Sequence, residues 1–283
     1  YGEALLELGR ENGKIVALEA DLGKSTMSNM FGGEFPERYF QMGIAEANMI
    51  STAAGLALSG HIAYASTFAV FASGRPYDQI RSSVAIPRLN VKICGSSAGL
   101  SDLGDGKTHQ SVDDIALMRV LPNMKVFSPA DYYETRKIVK AMAEIDGPCY
   151  IRVNRNDVPL VTAEDDAFEF GKVRTMKDGK DVVIFCCGIM LEHCLEAVEI
   201  LKENGIDLEL KMSAEYRLVP QTWPLVLKND WIMPIEDKYL LMELPISKPH
   251  QMGDIKPIEE FRKVLAMGLT PLLPHPERYF YLS

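Results

Sequence analysis

Six short strand-like runs, separated by segments of helical character, constrain the fold of this chain more than any other feature of its sequence. The runs begin at Ile15, Tyr39, Ile62, Asn90, Lys125 and Cys149. Such alternation of strands with helices is typical of parallel strands joined by helical crossovers. We therefore predict an α/β fold, a doubly wound parallel sheet, over residues 1–160.

The second run leads into a helix that carries a single acidic residue near its start. The strand-like run Tyr39–Met42 ends at Gly43, and a helix of small and apolar residues follows to about Ser59, with Glu46 in its first turn. A helix with so few charged residues should be buried on most sides. Because no Lys or Arg lies within a turn or two along the chain, we expect a desolvated carboxyl with a raised pKa that shares a proton near neutral pH. The alternative is that Glu46 only accepts hydrogen bonds from the free N–H groups at the helix start and interacts with the helix dipole.

The bulk composition narrows the classes of function. With 283 residues, 47% of them hydrophobic, the chain can bury a core and suits one large or two medium domains. A net charge of −9 argues against partners such as nucleic acid or an anionic membrane, which attract basic surfaces. No apolar run reaches the ~18 residues that span a bilayer, and no signal peptide is visible.

The five cysteines are an odd number, and most of them lie in apolar runs. This pattern indicates free thiols in a reducing cytoplasm and not a disulfide framework. A metal cluster of Cys186 and Cys187 with His193 and Cys194 is disfavoured, because adjacent residues of a strand point to opposite faces. The chain begins at Tyr1 and not at Met, so we expect that an N-terminal piece is missing.

The run Met42-Gly-Ile-Ala-Glu-Ala-Asn-Met49 resembles the Gly-Ile-Ala-Glu-Gln-Asn-Met run of the transketolase and deoxyxylulose-phosphate synthase family. The resemblance implies that residues 1–160 form a pyrimidine-binding domain. It also implies that Glu46 binds N1′ of the aminopyrimidine of thiamine diphosphate and thereby acts in catalysis.

Two further stretches carry the same resemblance on the cofactor side. Phe68 and Phe71, three residues apart, share one face of a predicted helical turn and match a Thr-Phe-x-x-Phe run that forms a wall against the pyrimidine ring. Ordinary core packing is the alternative for both rings. Asp21 follows the first strand in an Ala-Asp-Leu loop similar to one that reaches the subunit interface and the cofactor. A helix cap shared with Ser25 is the alternative for Asp21.

The loop Gly104-Asp-Gly-Lys-Thr-His-Gln110 resembles the family's Gly-Glu-Asp-Gly-Pro-Thr-His-Gln loop. The resemblance implies that Asp105 contacts a substrate hydroxyl and that His109 donates to substrate oxygens in catalysis. Ser96 departs from the family, many of whose members have a His there, which leaves the exact sugar specificity open.

A basic residue at the exit of the last strand suits a sugar phosphate. Arg152 and Arg155 both lie there, and the guanidinium fork binds phosphate in a bidentate manner. A surface ion pair is the alternative, and position in the family favours Arg155 as the phosphate ligand.

The remainder of the chain carries two different resemblances. An acidic linker and a β-α-β pattern, residues 161–207, are similar to the start of a transketolase C-terminal domain. Residues 208–283 resemble the middle of polymerase-and-histidinol-phosphatase (PHP) barrels, in particular bacterial tyrosine-protein phosphatases of capsule synthesis, and imply a partial β/α-barrel-like tail. We expect a fusion or a sequence join between about 205 and 212.

Three residues of the tail, Glu215, Glu243 and His275, fall on metal-ligand positions of the PHP family. Its opening His-x-His and closing Asp-x-His are absent. Three ligands from half a barrel are not expected to hold a metal cluster, so any metal site in the tail would be vestigial.

The function implied is the transfer of a two-carbon ketol unit between sugar phosphates. The Gly-Asp-Gly…Asn-Asn motif that holds Mg²⁺ and diphosphate in this cofactor class is missing, because Gly104-Asp-Gly106 has no such continuation. We therefore expect an N-terminal transketolase subunit as partner, in a dimer of heterodimers. A metal-dependent phosphatase in the tail and a non-catalytic assembly subunit are the alternatives.

Overall fold

The computed structural model describes residues 1–178, 182–204, 208–211, 216–217, 239–243, 257–268 and 270–272. The chain forms two compact units. The first comprises residues 1–168 with 187–193, and the second comprises residues 169–186 with 194–283.

A six-stranded parallel sheet forms the centre of the first unit. Its strands are β1 (Ile15–Glu19), β2 (Tyr39–Gln41), β3 (Ile62–Phe68), β4 (Val91–Ser96), β5 (Lys125–Phe127) and β6 (Cys149–Arg152). Their order is β2-β1-β3-β4-β6-β5, and every pair is parallel. The prediction of a doubly wound parallel sheet is confirmed, since each predicted run forms one of these strands.

Helices connect the strands of this sheet. They are α1 (Gly2–Glu11), α2 (Asn29–Glu34), α3 (Glu46–Leu58), α4 (Ala69–Gly74), α5 (Tyr77–Gln79) with the π-helical turn Ile80–Ala85, α6 (Asp114–Arg119) and α7 (Tyr132–Glu144). The helix after Gly43 therefore begins at Glu46, as the sequence predicts. The helical turn predicted for Phe68 and Phe71 is confirmed for Phe71, which lies in α4, and is wrong for Phe68, because β3 continues through Phe68 to pair with Ser96 of β4.

Two apolar layers cover the sheet, one on each face. Met49, Ile50 and Ala53 of α3 belong to one layer, and Leu5 of α1 and Val139 of α7 belong to the other. The expectation that α3 is buried on most sides is wrong for this chain: its buried residues pack in the first of these layers, whereas Ser51, Gly55 and Leu58 on other sides of the helix are exposed.

The described residues of the second unit form two small sheets. In the first, β7 (Thr175–Lys177) is antiparallel to β9 (Leu208–Lys211), which is parallel to β8 (Val182–Phe185). Helix α8 (Met190–Glu203) lies between β8 and β9 in sequence, so the β-α-β prediction is confirmed. The second sheet contains β10 (Tyr216–Arg217), β11 (Tyr239–Glu243) and β12 (Thr270–Leu272), all parallel, with helix α9 (Pro257–Ala266) preceding β12.

Within the described residues, no helix is long and apolar enough to cross a bilayer. All five cysteines are free thiols, and Cys94 and Cys149 are buried. Burial in the sheet raises the pKa of the Cys94 thiol to about 12. These thiols fit the expectation of unpaired cysteines.

Candidate active site

The predicted site residues converge on one edge of the six-stranded sheet. Because all its strands are parallel, their carboxyl ends share that edge, where α/β proteins bind ligands. Phe68 ends β3 at this edge, and the candidates that follow a strand there, in chain order, are Asp21, Glu46, Asp105, His109 and Arg155.

Glu46 is buried at the first residue of α3, where Gly43 turns the chain. Gly43 has a φ of +68°, a left-handed value that favours glycine, and it allows the backbone to leave β2 and enter the helix. The Glu46 residue is only 4% exposed. Its Oε1 accepts a hydrogen bond of 2.6 Å from Nη1 of Arg75, which is 29 residues away in sequence.

The expectation that Glu46 has no cationic partner is therefore wrong. Arg75 directly follows α4 and approaches Glu46 through the tertiary fold, so a window of one or two helical turns cannot reveal it. No signal in the sequence singled out this arginine as a site residue.

Three rings form an aromatic cluster beside this ion pair. The rings of Phe68 and Phe71 stack at 16° with their centroids 6.0 Å apart. The His109 ring stands edge-on to both, at 6.0 Å from Phe68 and 5.2 Å from Phe71. The guanidinium carbon of Arg75 lies 3.9 Å from the Phe71 centroid. Arg75 therefore links the aromatic cluster to the buried carboxylate of Glu46.

The loop after β4 places His109 against these rings. Gly106 has a φ of +68° and begins a 3₁₀ turn, and the His109 N–H donates to the Gly106 carbonyl over 2.9 Å. The Asp102 carboxylate is fully buried beneath the loop, and its Oδ1 accepts from the Asp105 N–H at 3.2 Å. The Asp105 side chain itself is exposed. Asp102 thus anchors the loop that presents Asp105 and His109.

Arg155 reaches the same cluster from the segment after β6. Its guanidinium carbon lies 5.6 Å from the centroid of Phe68. Its Nη1 lies 3.4 Å from Oδ2 of Asp102, and among the described residues that oxygen has no hydrogen bond. The Arg155 N–H donates to Oγ of Ser101 over 3.2 Å. Sequence reasoning missed Asp102, whose complete burial no local pattern reveals.

Arg152, the other predicted arginine, has a different environment. Its Nε donates to Oδ2 of the buried Asp114 over 2.9 Å, and the Tyr150 hydroxyl donates to the same oxygen over 2.9 Å. Arg152 therefore forms an ion pair, although with a buried carboxylate and not at the surface as the alternative had it, and this pair links α6 to β6.

Asp21 lies in the loop that follows β1. It has a φ of +61°, and its Oδ1 accepts a hydrogen bond of 3.0 Å from Nε2 of Gln41. The alternative that Asp21 and Ser25 cap a helix is wrong, because the N-cap position of α2 is Ser28. Beside it, burial raises the pKa of Glu19 despite the hydrogen bond from the Leu22 N–H.

Ser96, the position that departs from the family pattern, ends β4. It is buried, and its Oγ donates to the Thr67 carbonyl over 3.3 Å. This hydroxyl therefore supports the end of β3 next to Phe68.

The arrangement combines a buried carboxylate, a stacked aromatic wall and an imidazole at one sheet edge. A carboxylate oxygen at such a wall suits a flat heteroaromatic ring that carries a basic nitrogen. The nearby Arg155 adds a cation suited to an anionic ligand.

Comparison with known protein families yields matches to both units. The family model for the transketolase pyrimidine binding domain matches residues 1–161, and the model for the transketolase C-terminal domain matches residues 171–211. A solved structure described as a split gene transketolase, inactive beta4 tetramer, is 42% identical. It superposes with a TM-score of 0.71 over 96% of this chain and 84% of that chain.

Curated relatives agree with these matches. The chain is 44% identical over 244 residues to a protein of Methanocaldococcus jannaschii named "Putative transketolase C-terminal section", covering 85% of this chain and 77% of the relative. It is 40% identical over 210 residues to the 6-deoxy-6-sulfo-D-fructose transketolase subunit SqwH of Clostridium sp., covering 74% and 65%. Human transketolase is 34% identical over 247 residues, and the chain spans 39% of its length.

The comparisons do not support the resemblance of the tail to PHP phosphatases. The similarity to the archaeal relative covers 85% of the chain, more than residues 1–207 provide. Glu243 ends β11, whereas Glu215 and His275 lie outside the described residues. Three short motifs are weak evidence for a family, because Glu, His and Pro recur by chance at strand ends.

Proposed function

This chain belongs to the transketolase family, and from that premise we propose that it supplies the pyrimidine side of a thiamine diphosphate site in a two-chain transketolase. The reaction is the transfer of a two-carbon ketol unit between sugar phosphates. One observation carries the proposal: the buried carboxylate of Glu46 binds Arg75, whose guanidinium lies over Phe71 in the aromatic cluster of Phe68, Phe71 and His109.

The residues present fit an aminopyrimidine ring in two respects. The stacked pair of Phe68 and Phe71 offers an apolar wall to a flat ring, and Phe71 is partly exposed. Glu46 Oε1 binds Arg75, while Oε2 makes no hydrogen bond to the described residues and is left for a ring nitrogen. When bound, thiamine diphosphate supplies the nucleophilic carbon that accepts and passes on the ketol unit.

The side chains of this chain have separate tasks in the proposal. The carboxylate of Glu46 exchanges a proton with N1′ of the aminopyrimidine as a general acid–base group. His109, held edge-on to the aromatic wall, donates to substrate oxygens, and the exposed carboxylate of Asp105 accepts from a sugar hydroxyl. Arg155 binds the sugar phosphate through its guanidinium. Asp21 contributes to the cofactor side from beyond β1.

A second chain completes the site in this proposal. Gly104-Asp-Gly106 lacks the Asn-Asn continuation that holds Mg²⁺ and diphosphate in this cofactor class. The names of the relatives support such a division, because one is called a C-terminal section and another a subunit. The related split gene transketolase was described as inactive in its beta4 tetramer. We therefore assign the Mg²⁺ and diphosphate ligands to an N-terminal subunit.

Substitution of Glu46 by Gln tests the proposal directly. Glu46→Gln keeps the volume and a hydrogen-bonding group but cannot exchange a proton, so ketol transfer should fall by roughly 10²–10⁴. The variant is assayed with the N-terminal partner and saturating thiamine diphosphate and Mg²⁺. Folding and assembly should be retained, as measured by circular dichroism and sedimentation.

Glu3→Gln is the matched control. Glu3 also lies in the first turn of a helix, where it accepts a hydrogen bond of 2.7 Å from the Tyr132 hydroxyl, and it is exposed. Its substitution should leave turnover unchanged. Near-normal turnover of Glu46→Gln would reduce Glu46 to a structural residue of the helix start and would remove the proposal.

A further inference from the structure

Arg75 connects the buried carboxylate to the aromatic wall. Its Nη1 donates to Oε1 of Glu46 over 2.6 Å, and its guanidinium carbon lies 3.9 Å from the centroid of the Phe71 ring. Because Arg75 follows α4, which carries Phe71, it joins the end of that helix to the start of α3. One planar cation thus contacts both groups that we assign to the aminopyrimidine.

The two partners of this ion pair differ in exposure. The Arg75 side chain is 47% exposed, whereas that of Glu46 is 5% exposed. A buried carboxylate needs a charged or hydrogen-bonding partner, and a charge-assisted hydrogen bond fixes its rotamer. A guanidinium that also stacks on a ring has a defined orientation, which a lysine ammonium lacks. Arg75 therefore determines which carboxylate oxygen is engaged.

We propose that Arg75 is a positioning residue for the acid–base step: it holds Glu46 by Oε1 and leaves Oε2 to exchange the proton with the ring nitrogen. Arg75 acts through Glu46 and not on the sugar. The inference rests on the proposed function, because it gives Arg75 a task only if Glu46 has one.

The first test compares turnover of variants in the reconstituted two-chain enzyme. Arg75→Met should lower kcat by about 10–100-fold, the scale of a misplaced catalytic group. KM for the sugar phosphates should stay within about twofold. Arg75→Lys should recover part of the loss, since it keeps the charge but not the planar stack. The control Arg81→Met removes an exposed arginine six positions further along the chain and should leave kcat unchanged.

The double variant separates positioning from independent action. If Arg75 acts through Glu46, Arg75→Met combined with Glu46→Gln should be no slower than Glu46→Gln alone. If the two losses multiply, Arg75 acts independently of Glu46 and the inference is overturned.

The isolated chain gives a readout that does not depend on turnover. In urea unfolding, Arg75→Met should lower the midpoint, because it leaves a buried carboxylate without its cation. Adding Glu46→Gln to Arg75→Met should raise the midpoint again, since the uncompensated charge is gone. An unchanged midpoint in Arg75→Met would overturn the pairing on which the inference stands.

The outcomes for the two proposals are distinct. Loss of turnover in Glu46→Gln with normal kcat in Arg75→Met overturns the role of Arg75 and leaves the proposed function standing. Normal turnover in Glu46→Gln overturns both. If Arg75→Met does not fold, Arg75→Lys and the double variant carry the test: normal kcat in the folded Lys variant, or a double variant slower than Glu46→Gln, overturns the inference.

Discussion

Nε of Arg152 donates to Oδ2 of Asp114 over 2.9 Å, and Asp114 is 1% exposed. The pair joins the first residue of α6 to the last residue of β6, next to the loop that carries the candidate site. Removal of the cation leaves a buried carboxylate to which, among the described residues, only the Tyr150 hydroxyl still donates. We predict that Arg152→Met lowers the free energy of unfolding by about 3 kcal/mol, as measured by urea denaturation.

Arg10→Met is the control for this prediction. Arg10 pairs with Glu34 over 2.6 Å, and both side chains are substantially exposed. An exposed pair of this kind is screened by solvent, so Arg10→Met should change the free energy of unfolding far less than Arg152→Met does. Equal losses of unfolding free energy in Arg152→Met and Arg10→Met would show that the burial of Asp114 does not increase the contribution of Arg152 to stability.

Asp131 ties the segment after β6 to the start of α7. Its Oδ2 accepts from the Val161 and Thr162 N–H groups at 2.8 and 2.6 Å, and its Oδ1 accepts from the Glu134 N–H at 3.0 Å. Burial alone would raise the pKa of Asp131, but the hydrogen bonds from Glu134, Thr162 and Val161 outweigh it and lower that pKa. The folded chain therefore holds the ionised carboxylate more strongly than the unfolded chain does.

The lowered pKa of Asp131 gives a pH-dependent stability. Its contribution is complete above the unfolded pKa of ~3.9 and is lost as the pH falls through the lower folded pKa. Asp131→Asn should therefore cost about 1–3 kcal/mol at pH 7, and the difference from the native chain should shrink below about pH 4. Urea unfolding at several pH values measures it, with the exposed Asp165→Asn as control. A difference that is independent of pH would contradict the assignment.

Much of the fold was predictable, because parallel strands and their crossover helices leave a regular pattern in the sequence. Glu46 illustrates this, since the strand-to-helix break at Gly43 fixes its position at the carboxyl edge. Its partner Arg75 was not predictable, because 29 residues separate the two and only the tertiary fold brings them together. The helix predicted at Phe68 was wrong for the same reason, because the pairing of Phe68 with Ser96 is a tertiary contact that no local pattern reveals.

The isolated chain should bind thiamine diphosphate weakly and show no ketol transfer. The proposal assigns the Mg²⁺ and diphosphate ligands to a partner, and this chain supplies only the wall of Phe68 and Phe71 with the Glu46 carboxylate. Titration calorimetry in the presence of Mg²⁺ measures the affinity before and after addition of the partner. Tight Mg²⁺-dependent binding by the isolated, monomeric chain would contradict the two-chain site.

Arg155 should separate recognition of the sugar phosphate from the acid–base step. Its guanidinium lies 5.6 Å from the Phe68 centroid and 3.4 Å from the buried carboxylate of Asp102. Hydrogen bonds to a charged group are worth about 1.5–3 kcal/mol, so Arg155→Met should raise KM for phosphorylated sugars by about 10–100-fold. The value of kcat should change little, because Arg155 does not contact Glu46 in the described structure.

An unphosphorylated ketol donor distinguishes phosphate binding from a general disturbance of the loop. With such a donor, Arg155→Met should leave KM nearly unchanged, because no phosphate is present to lose its ligand. Arg88→Met, which removes an exposed arginine elsewhere on the first unit, should change neither KM. Arg155→Met also leaves the buried Asp102 without its cation, so the stability of this variant to urea must be measured together with its kinetics. Equal increases in KM for the phosphorylated and unphosphorylated donors would assign Arg155 to holding Asp102 and its loop, and would leave the phosphate without its proposed ligand.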